Sequence, residues 1–498
     1  MNKRLGRVRA IFLVVMCCIG SFMFSYDTGV VGGVLTMESF QDSYHITKEN
    51  KTQVSSNATS LLQAGAFFSC FFVWPFTARY GRRRSLGLAS VIFTIGGIIQ
   101  VAPTGHIGAF YAARVIAGVG VGMATVMVPI YSAEMALKEI RGQLGSLFQF
   151  FFTVGVMTSY WVDYGVTKHI SDKLPKQWQI PIGLQLVPAV ILGVGMLFLK
   201  ESTRWLAKRG RTDEALESLI WIRGGDSEEV RAEMAEILAA IEAERLATQG
   251  VAWNELLLPA NRYRVFIIIT LQIGVQLTGN TSLAYYNPQV FAQIGAKEKN
   301  MLLSGFFGVA KVVACLIFVV FLVERIGRRW ALVIGAAGMG SFMLIVAVLN
   351  KVYPPVESPG SISSPAIATI IMIYMEAATY NMSWGPVSWL YQGEIWPARL
   401  REMGNAIGTA TQWLFNFILT RITPPALENI GWRTFLMFCI FNYALSLYAF
   451  FLIKETTGKS LEDMEHVFKS EATTTHMDAM LAEKGEEREQ TRVEEVAK

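Results

Sequence analysis

The chain has 498 residues, of which 52% are hydrophobic and only 17% charged. Soluble globular chains usually carry about 25% charged residues, and disordered ones have far fewer apolar residues, so both classes are excluded, as are collagen-like repeats. The formal net charge of +5 is concentrated in a few loops and gives no reason to expect nucleic acid. A membrane-spanning helix needs roughly 20 apolar residues, so the chain has room for about a dozen. The composition predicts an all-α polytopic membrane protein.

Taken in chain order, the first apolar run (10–33) is long and is followed by no small-residue cleavage site, so it reads as a span, not a removable signal. Further spans are predicted near 58–78, 86–103, 108–133, 143–163 and 180–199. Asn50 (N-K-T) and Asn57 (N-A-T) are glycosylation sequons in the first outer loop. Residues 201–262 are charged and helix-periodic and are expected to be soluble. A second set of spans follows near 263–291, 301–323, 331–350, 366–390, 403–423 and 433–453. The expected organisation is a six-helix half (1–200), a cytoplasmic helical linker (201–262), a second six-helix half (263–455) and a charged, unstructured cytoplasmic tail (456–498). Cys17, Cys18, Cys70, Cys315 and Cys439 lie in apolar runs without a C-x-x-C pair, which argues against disulfide or zinc frameworks.

Lys and Arg are retained on the cytoplasmic side of a membrane. Lys3, Arg4, Arg7 and Arg9 precede span 1, Arg82, Arg83 and Arg84 follow span 2, Lys138 and Arg141 follow span 4, and Arg325, Arg328 and Arg329 follow span 8. Both termini and the linker are therefore expected in the cytoplasm. The same loops repeat. R-Y-G-R-R (79–83) returns as R-I-G-R-R (325–329), Glu134 and Arg141 return with the same spacing as Glu394 and Arg401, and E-S-T-R from Glu201 is answered by E-T-T-G from Glu455. Corresponding loops at nearly one offset indicate two parallel halves, the organisation of an alternating-access carrier.

Asp27 and Arg114 are charged residues inside apolar runs, where an unpaired charge costs roughly 3 kcal/mol or more, so each should face a cavity or a partner. Gly385 and Pro386 are placed to break span 10. Gly118, Gly120 and Gly122 read as close-packing positions in span 4. No phosphate-loop sequence, nucleophile–base set or metal cluster is visible, so the chain is not read as an enzyme or nucleotide motor, and no cofactor or metal is expected.

The motifs Y-D-T-G-V-V-G-G (26–33), G-R-R-R (81–84), A-A-R-V-I-A-G-V-G-V-G (112–122), P-I-Y-S-A-E (129–134), E-S-T-R-W-L (201–206), Q-L-T-G (276–279), W-G-P-V-S-W (384–389), E-I-W-P-A-R-L-R (394–401) and E-T-T-G-K-S-L-E (455–462) occur in this order. Together they resemble the sugar porters of the major facilitator superfamily, in particular fungal carriers of hexoses, pentoses, quinate or galacturonate. The chain departs from that pattern at Ala78, Lys200 and Thr203, and at Val275 and Thr281, where the family has a glutamine and an asparagine.

The resemblance implies a plasma-membrane proton symporter importing a monosaccharide or sugar acid, with Asp27 and Arg114 coupling the proton. A proton-independent facilitator is the alternative, and a non-transporting nutrient sensor a more distant one. The resemblance also implies that Gln149, Gln276, Thr281, Asn381, Trp389, Trp413 and Asn416 bind substrate. Tyr285 and Tyr286 would form an extracellular gate. Arg83, Glu134, Arg141, Glu201, Arg329, Glu394, Arg401 and Glu455 would form a cytoplasmic salt-bridge gate. Lys311 in span 8 and Arg421 near the end of span 11 are further cations, with Arg421 placed to snorkel to the interface.

Overall fold

The structure, a computed structural model, describes residues 3–135, 141–248, 253–322, 325–354, 362–396 and 400–456. Lys138, Glu324 and the tail beyond residue 456 lie outside them, as do the side chains of Arg141 and Arg401. Among the described residues there is no β-strand.

The first set of helices is α1 (Lys3–Val34), the short α2 (Glu38–Ser43), α3 (Lys51–Tyr80), α4 (Arg82–Val101), α5 (Ile107–Met135), α6 (Arg141–His169), α7 (Lys176–Leu184) and α8 (Leu186–Phe198). Three helices of the linker follow: α9 (Thr203–Lys208), α10 (Thr212–Arg223) and α11 (Glu228–Thr248). The second set is α12 (Pro259–Leu277), α13 (Asn280–Phe291), α14 (Asn300–Ile317), α15 (Arg328–Val352), α16 (Ser364–Asn381), α17 (Trp384–Glu394), α18 (Arg401–Ile430) and α19 (Trp432–Leu452). Each of the expected spans has a helix or a broken pair. Eight described stretches are long and apolar enough to cross a membrane, and one of them, Asn261–Leu322, is 62 residues long. Phe68, Phe71, Phe72, Trp74, Leu197, Phe198, Phe450 and Phe451 stay exposed, as side chains bathed in lipid do.

Glycine sets how close the helices come. A Cβ on Gly118 would meet the Leu62 carbonyl oxygen at 2.0 Å, and one on Gly122 would meet Ser69 Oγ at 2.0 Å. Span 4 thus packs backbone-to-backbone on span 2, the packing role expected of these glycines. Span 7 breaks at Gly279, whose φ of +88° is a conformation that costs a glycine nothing. Span 10 breaks at Met382 and Ser383, ahead of the expected Gly385 and Pro386. Pro386 lies in the first turn of α17, where a missing N–H is tolerated.

The two sets meet where α3 lies along α18, α6 along α14, and α1 against α13. The linker caps one end of the assembly, here called the linker face; the opposite end is the far face. Ala215, Leu219, Ile222, Val230 and Met234 bury the apolar side of the linker in a core continuous with α1. Arg9 fixes the start of α1 there, donating to the Trp221 carbonyl at 2.8 Å with its guanidinium 4.8 Å above the Trp221 ring.

Candidate functional site

The motif around Asp27 is a strand of glycines for a steric reason. Cβ atoms on Gly29, Gly32 and Gly33 would meet Ser159 Oγ, the Tyr285 carbonyl oxygen and Asp163 Oδ2 at 2.0, 2.0 and 2.1 Å. Only a helix without side chains on that face can lie this close to both α6 and α13. Asp27, on the same stretch, is fully buried, and so is Arg114 on α5. Arg114 Nη1 donates to Asp27 Oδ1 at 2.5 Å, and its Nε donates to the Ala58 carbonyl of α3 at 2.8 Å. Asp27 Oδ2 and Arg114 Nη2 have no partner. Removing one member would strand a charge in a dry interior, which typically costs about 3–5 kcal/mol.

The amide and indole groups form a looser set. Gln149, Gln276, Asn381, Trp413 and Asn416 are buried, and Thr281 and Trp389 are half-buried. Gln276 Oε1, Asn381 Oδ1, Asn416 Oδ1 and Trp413 Nε1 have no protein partner. Buried polar groups are nearly always bonded, so these atoms have hydrogen-bonding capacity left for a bound molecule. Trp413 also reaches across to the first set, its ring 6.5 Å from that of Phe24 in an edge-on arrangement. The neighbouring Gln272 donates to Gln392 Oε1 at 2.5 Å, and its own Oε1 is likewise without a partner.

The far face is sealed by α13. Tyr285 and Tyr286 are buried. The Tyr285 hydroxyl lies 3.4 Å from Thr28 Oγ1, and turning the Gln63 amide lets its oxygen accept from the same hydroxyl at 2.8 Å. Tyr286 donates to the Thr420 carbonyl at 2.7 Å, and Tyr160 of α6 donates to the Ala284 carbonyl. Gln289 Nε2 donates to Ser55 Oγ at 3.3 Å, and Thr52 Oγ1 donates to Glu428 Oε2 at 2.5 Å. Except for the Tyr286–Thr420 bond, which lies within the second set, these bonds join the first and second sets.

At the linker face the repeated loops form two matching corners. Glu201 Oε1 accepts from the backbone N–H groups of Arg82 (2.8 Å) and Arg83 (3.0 Å). Glu455 accepts from those of Arg328 (2.8 Å) and Arg329 (3.1 Å). Arg82 then pairs with Glu134 at 3.0 Å, and Arg328 with Glu394 at 2.9 Å. Ser202 and Thr456, each following its corner glutamate, donate to Glu134 and Glu394 respectively. Among the described side chains, Arg82 and Arg328 are thus the arginines paired with Glu134 and Glu394, while Arg83 and Arg329 meet the corner glutamates through their backbone N–H groups. Successive helical residues point about 100° apart, and here the first of each pair faces inward.

Two buried charged groups escaped the sequence reading. Asp163 on α6 is fully buried with neither carboxylate oxygen bonded. Glu376 on α16 is fully buried and joined through Asn280 to Lys311. Each carried the same signal as Asp27, a charge within an apolar run. Arg421 is exposed, as snorkelling requires. All five cysteines are buried thiols, and no group of metal-ligating side chains occurs among the described residues.

Two sets of spans around a buried ion pair, sealed at one end and cornered at the other, define a membrane carrier of the major facilitator type. The chain matches the family described as Sugar (and other) transporter over residues 13–468 and belongs to it. It is 33% identical over 494 residues to a probable quinate permease of Aspergillus fumigatus, covering 96% of this chain and 91% of that one. It is also 33% identical over 479 residues to a quinate permease of Emericella nidulans, covering 92% and 88%. Among solved structures, the inward-open xylose transporter XylE from E. coli superposes with a TM-score of 0.77 at 24% identity, over 92% of this chain and 100% of that one. The proton:xylose symporter XylE bound to 6-bromo-6-deoxy-D-glucose gives 0.76 at 24% identity, over 93% and 100%. These structures share the fold. The protein is a transporter, not an enzyme.

Proposed function

We propose that the protein imports a polyhydroxylated small molecule, a monosaccharide or a sugar acid, together with a proton, across the plasma membrane. The observation that carries this reading is the buried Asp27–Arg114 pair, with one carboxylate oxygen and one guanidinium nitrogen left over. In this reading Asp27 is the group that carries the co-transported proton and Arg114 is its counter-charge. The pair sits one residue from Thr28, which touches Tyr285 of α13; movement of α13 is thereby linked to the carboxyl.

In this reading Gln149, Gln276, Thr281, Asn381, Trp389, Trp413 and Asn416 receive the substrate, amides on its hydroxyls and indoles on its apolar faces. Tyr285 and Tyr286 act as the extracellular gate. The corners at Glu134, Glu201, Glu394 and Glu455, with Arg141 and Arg401 close in sequence, act as the cytoplasmic one. The arginines at the linker face support a cytoplasmic position for that face and for both termini. The matching corners support halves at 1–200 and 263–455 around the linker 201–262. Relatives named quinate permease favour a substrate that carries a carboxylate beside its hydroxyls.

The test is uptake of labelled quinate, galacturonate, glucose and xylose by a transporter-null yeast, at pH 5 and 7, with and without a protonophore. Uptake of one compound that collapses with protonophore and in Asp27→Asn establishes symport. Uptake indifferent to both makes the protein a facilitator. No uptake with the protein at the cell surface sinks the substrate class.

A further inference from the structure

Three polar side chains from three different helices meet where span 7 breaks. Lys311 of α14, Asn280 of α13 and Glu376 of α16 are each at most 2% exposed. Lys311 Nζ donates to Asn280 Oδ1 at 3.1 Å, and Asn280 Nδ2 donates to Glu376 Oε2 at 3.0 Å. Lys311 also lies 5.4 Å from the centre of the Phe307 ring. The two charges are bridged by one amide, whose oxygen can face an ammonium while its nitrogen faces a carboxylate. A carboxylate at the same place could not donate to Glu376, and an ammonium could not accept from Lys311.

Asn280 is the first residue after Gly279, whose left-handed backbone separates α12 from α13. A break of this kind removes the continuous hydrogen-bond ladder that would otherwise fix one helix piece relative to the other. The start of α13 is then held by side chains: Asn280, bonded from span 8 on one side and span 10 on the other, with Ser282 bonded to Thr423. Thr281, Tyr285 and Tyr286 follow on the same short helix.

We propose that Lys311 and Glu376 form a buried charge clamp on Asn280, and that Asn280 is the positioning residue for α13, setting where Thr281 and the two tyrosines stand during transport. The clamp explains why a lysine and a glutamate are both retained in a dry interior: each balances the other, and removing either leaves a stranded charge. This inference holds for a facilitator as well as for a proton symporter.

The test uses the full chain in membranes with Gln289→Cys as a reporter. Gln289 is half-buried on α13, and its side chain bonds Ser55 across the far face. Its rate of reaction with a membrane-impermeant maleimide reads how firmly α13 is seated; the five native thiols are buried. Lys311→Met and Glu376→Gln should each raise that rate about tenfold, the scale of losing one charged contact. The double variant, which buries no unbalanced charge and keeps an acceptor for Asn280, should return to within about threefold of the parent. Asn280→Ala should equal the worse single variant and make further change at Lys311 silent. Rates unchanged in the single variants, or single effects that multiply in the double, would overturn the clamp. If a single variant does not accumulate, the double and Asn280→Ala still decide: a double as fast as Asn280→Ala counts against the proposal. A side chain needed only for stability would lower the amount of folded protein and leave the labelling rate of that fraction alone.

Discussion

Arg114 holds Asp27 with one nitrogen while a second nitrogen of the same guanidinium holds the Ala58 carbonyl. One side chain thus ties spans 1, 2 and 4 together, and the carboxylate is oriented by a group that is itself oriented. A lysine carries the same charge but has no fork and no second donor in a fixed direction. Arg114→Lys is expected to lower uptake of the transported compound about tenfold or more, the scale of one charge-assisted bond. The protein should still reach the cell surface. Uptake within twofold of the parent would show that charge alone matters at this position.

The corner glycines are not equivalent. Gly81 has φ +95° and a Cβ there would meet Glu201 Oε2 at 2.3 Å, whereas Gly327 meets Glu455 Oε2 at 2.2 Å from an ordinary negative φ. Gly81→Ala carries both the strained backbone, about 1–3 kcal/mol, and the displaced carboxylate. Gly327→Ala carries only the second. Thermal unfolding of the purified protein in detergent should rank Gly81→Ala below Gly327→Ala, and the reverse order would refute the backbone argument.

The linker is anchored to span 1 by polar and close backbone contacts in addition to the shared apolar core. Besides the bond and ring contact of Arg9 to Trp221, Gly6 lies so close that a Cβ would stand 2.4 Å from the Arg223 carbonyl oxygen. Arg9→Ala removes about 1 kcal/mol, and Gly6→Val pushes the linker away outright. Limited proteolysis should cut within residues 201–262 faster in both variants, with Gly6→Val the more sensitive. Equal cutting rates would mean that the linker is held elsewhere.

The two sequons are both half-buried but differ in backbone setting. Asn50 precedes α3 at the turn, with its side chain oxygen accepting from the Thr47 N–H at 2.9 Å. Asn57 is already in the second turn of α3 and half-buried. Expressed in a glycosylating yeast, the protein should lose its endoglycosidase-sensitive mobility shift with Asn50→Gln and keep it with Asn57→Gln. A shift that survives Asn50→Gln would place the glycan elsewhere.

The fold was legible because hydrophobic runs and basic loops are written along the chain, and each expected span has its helix. For Asp27 and Arg114 the apolar runs said only that each charge needs a cavity or a partner; that they meet each other came from the family pattern. Glu376 and Asp163 carried the same sign, yet the family pattern drew attention to other positions. The choice between Arg82 and Arg83 could not be read in advance. Adjacent residues on a helix face different ways, and which one turns inward depends on the path of the chain through Gly81. The break in span 10 fell ahead of Pro386 because a proline is most at ease just inside a helix start.

The two corners at the linker face give the molecule an internal control. Arg82, Glu134, Glu201 and Ser202 on one side, and Arg328, Glu394, Glu455 and Thr456 on the other, make the same set of side-chain bonds twice from one chain, on backbones that differ at the corner glycine. Any substitution at one corner can be repeated at its twin within the same fold, membrane and assay. What the pair of variants shares measures the corner itself. Where they differ, the difference measures how unequally the two sides share the work of a transport cycle.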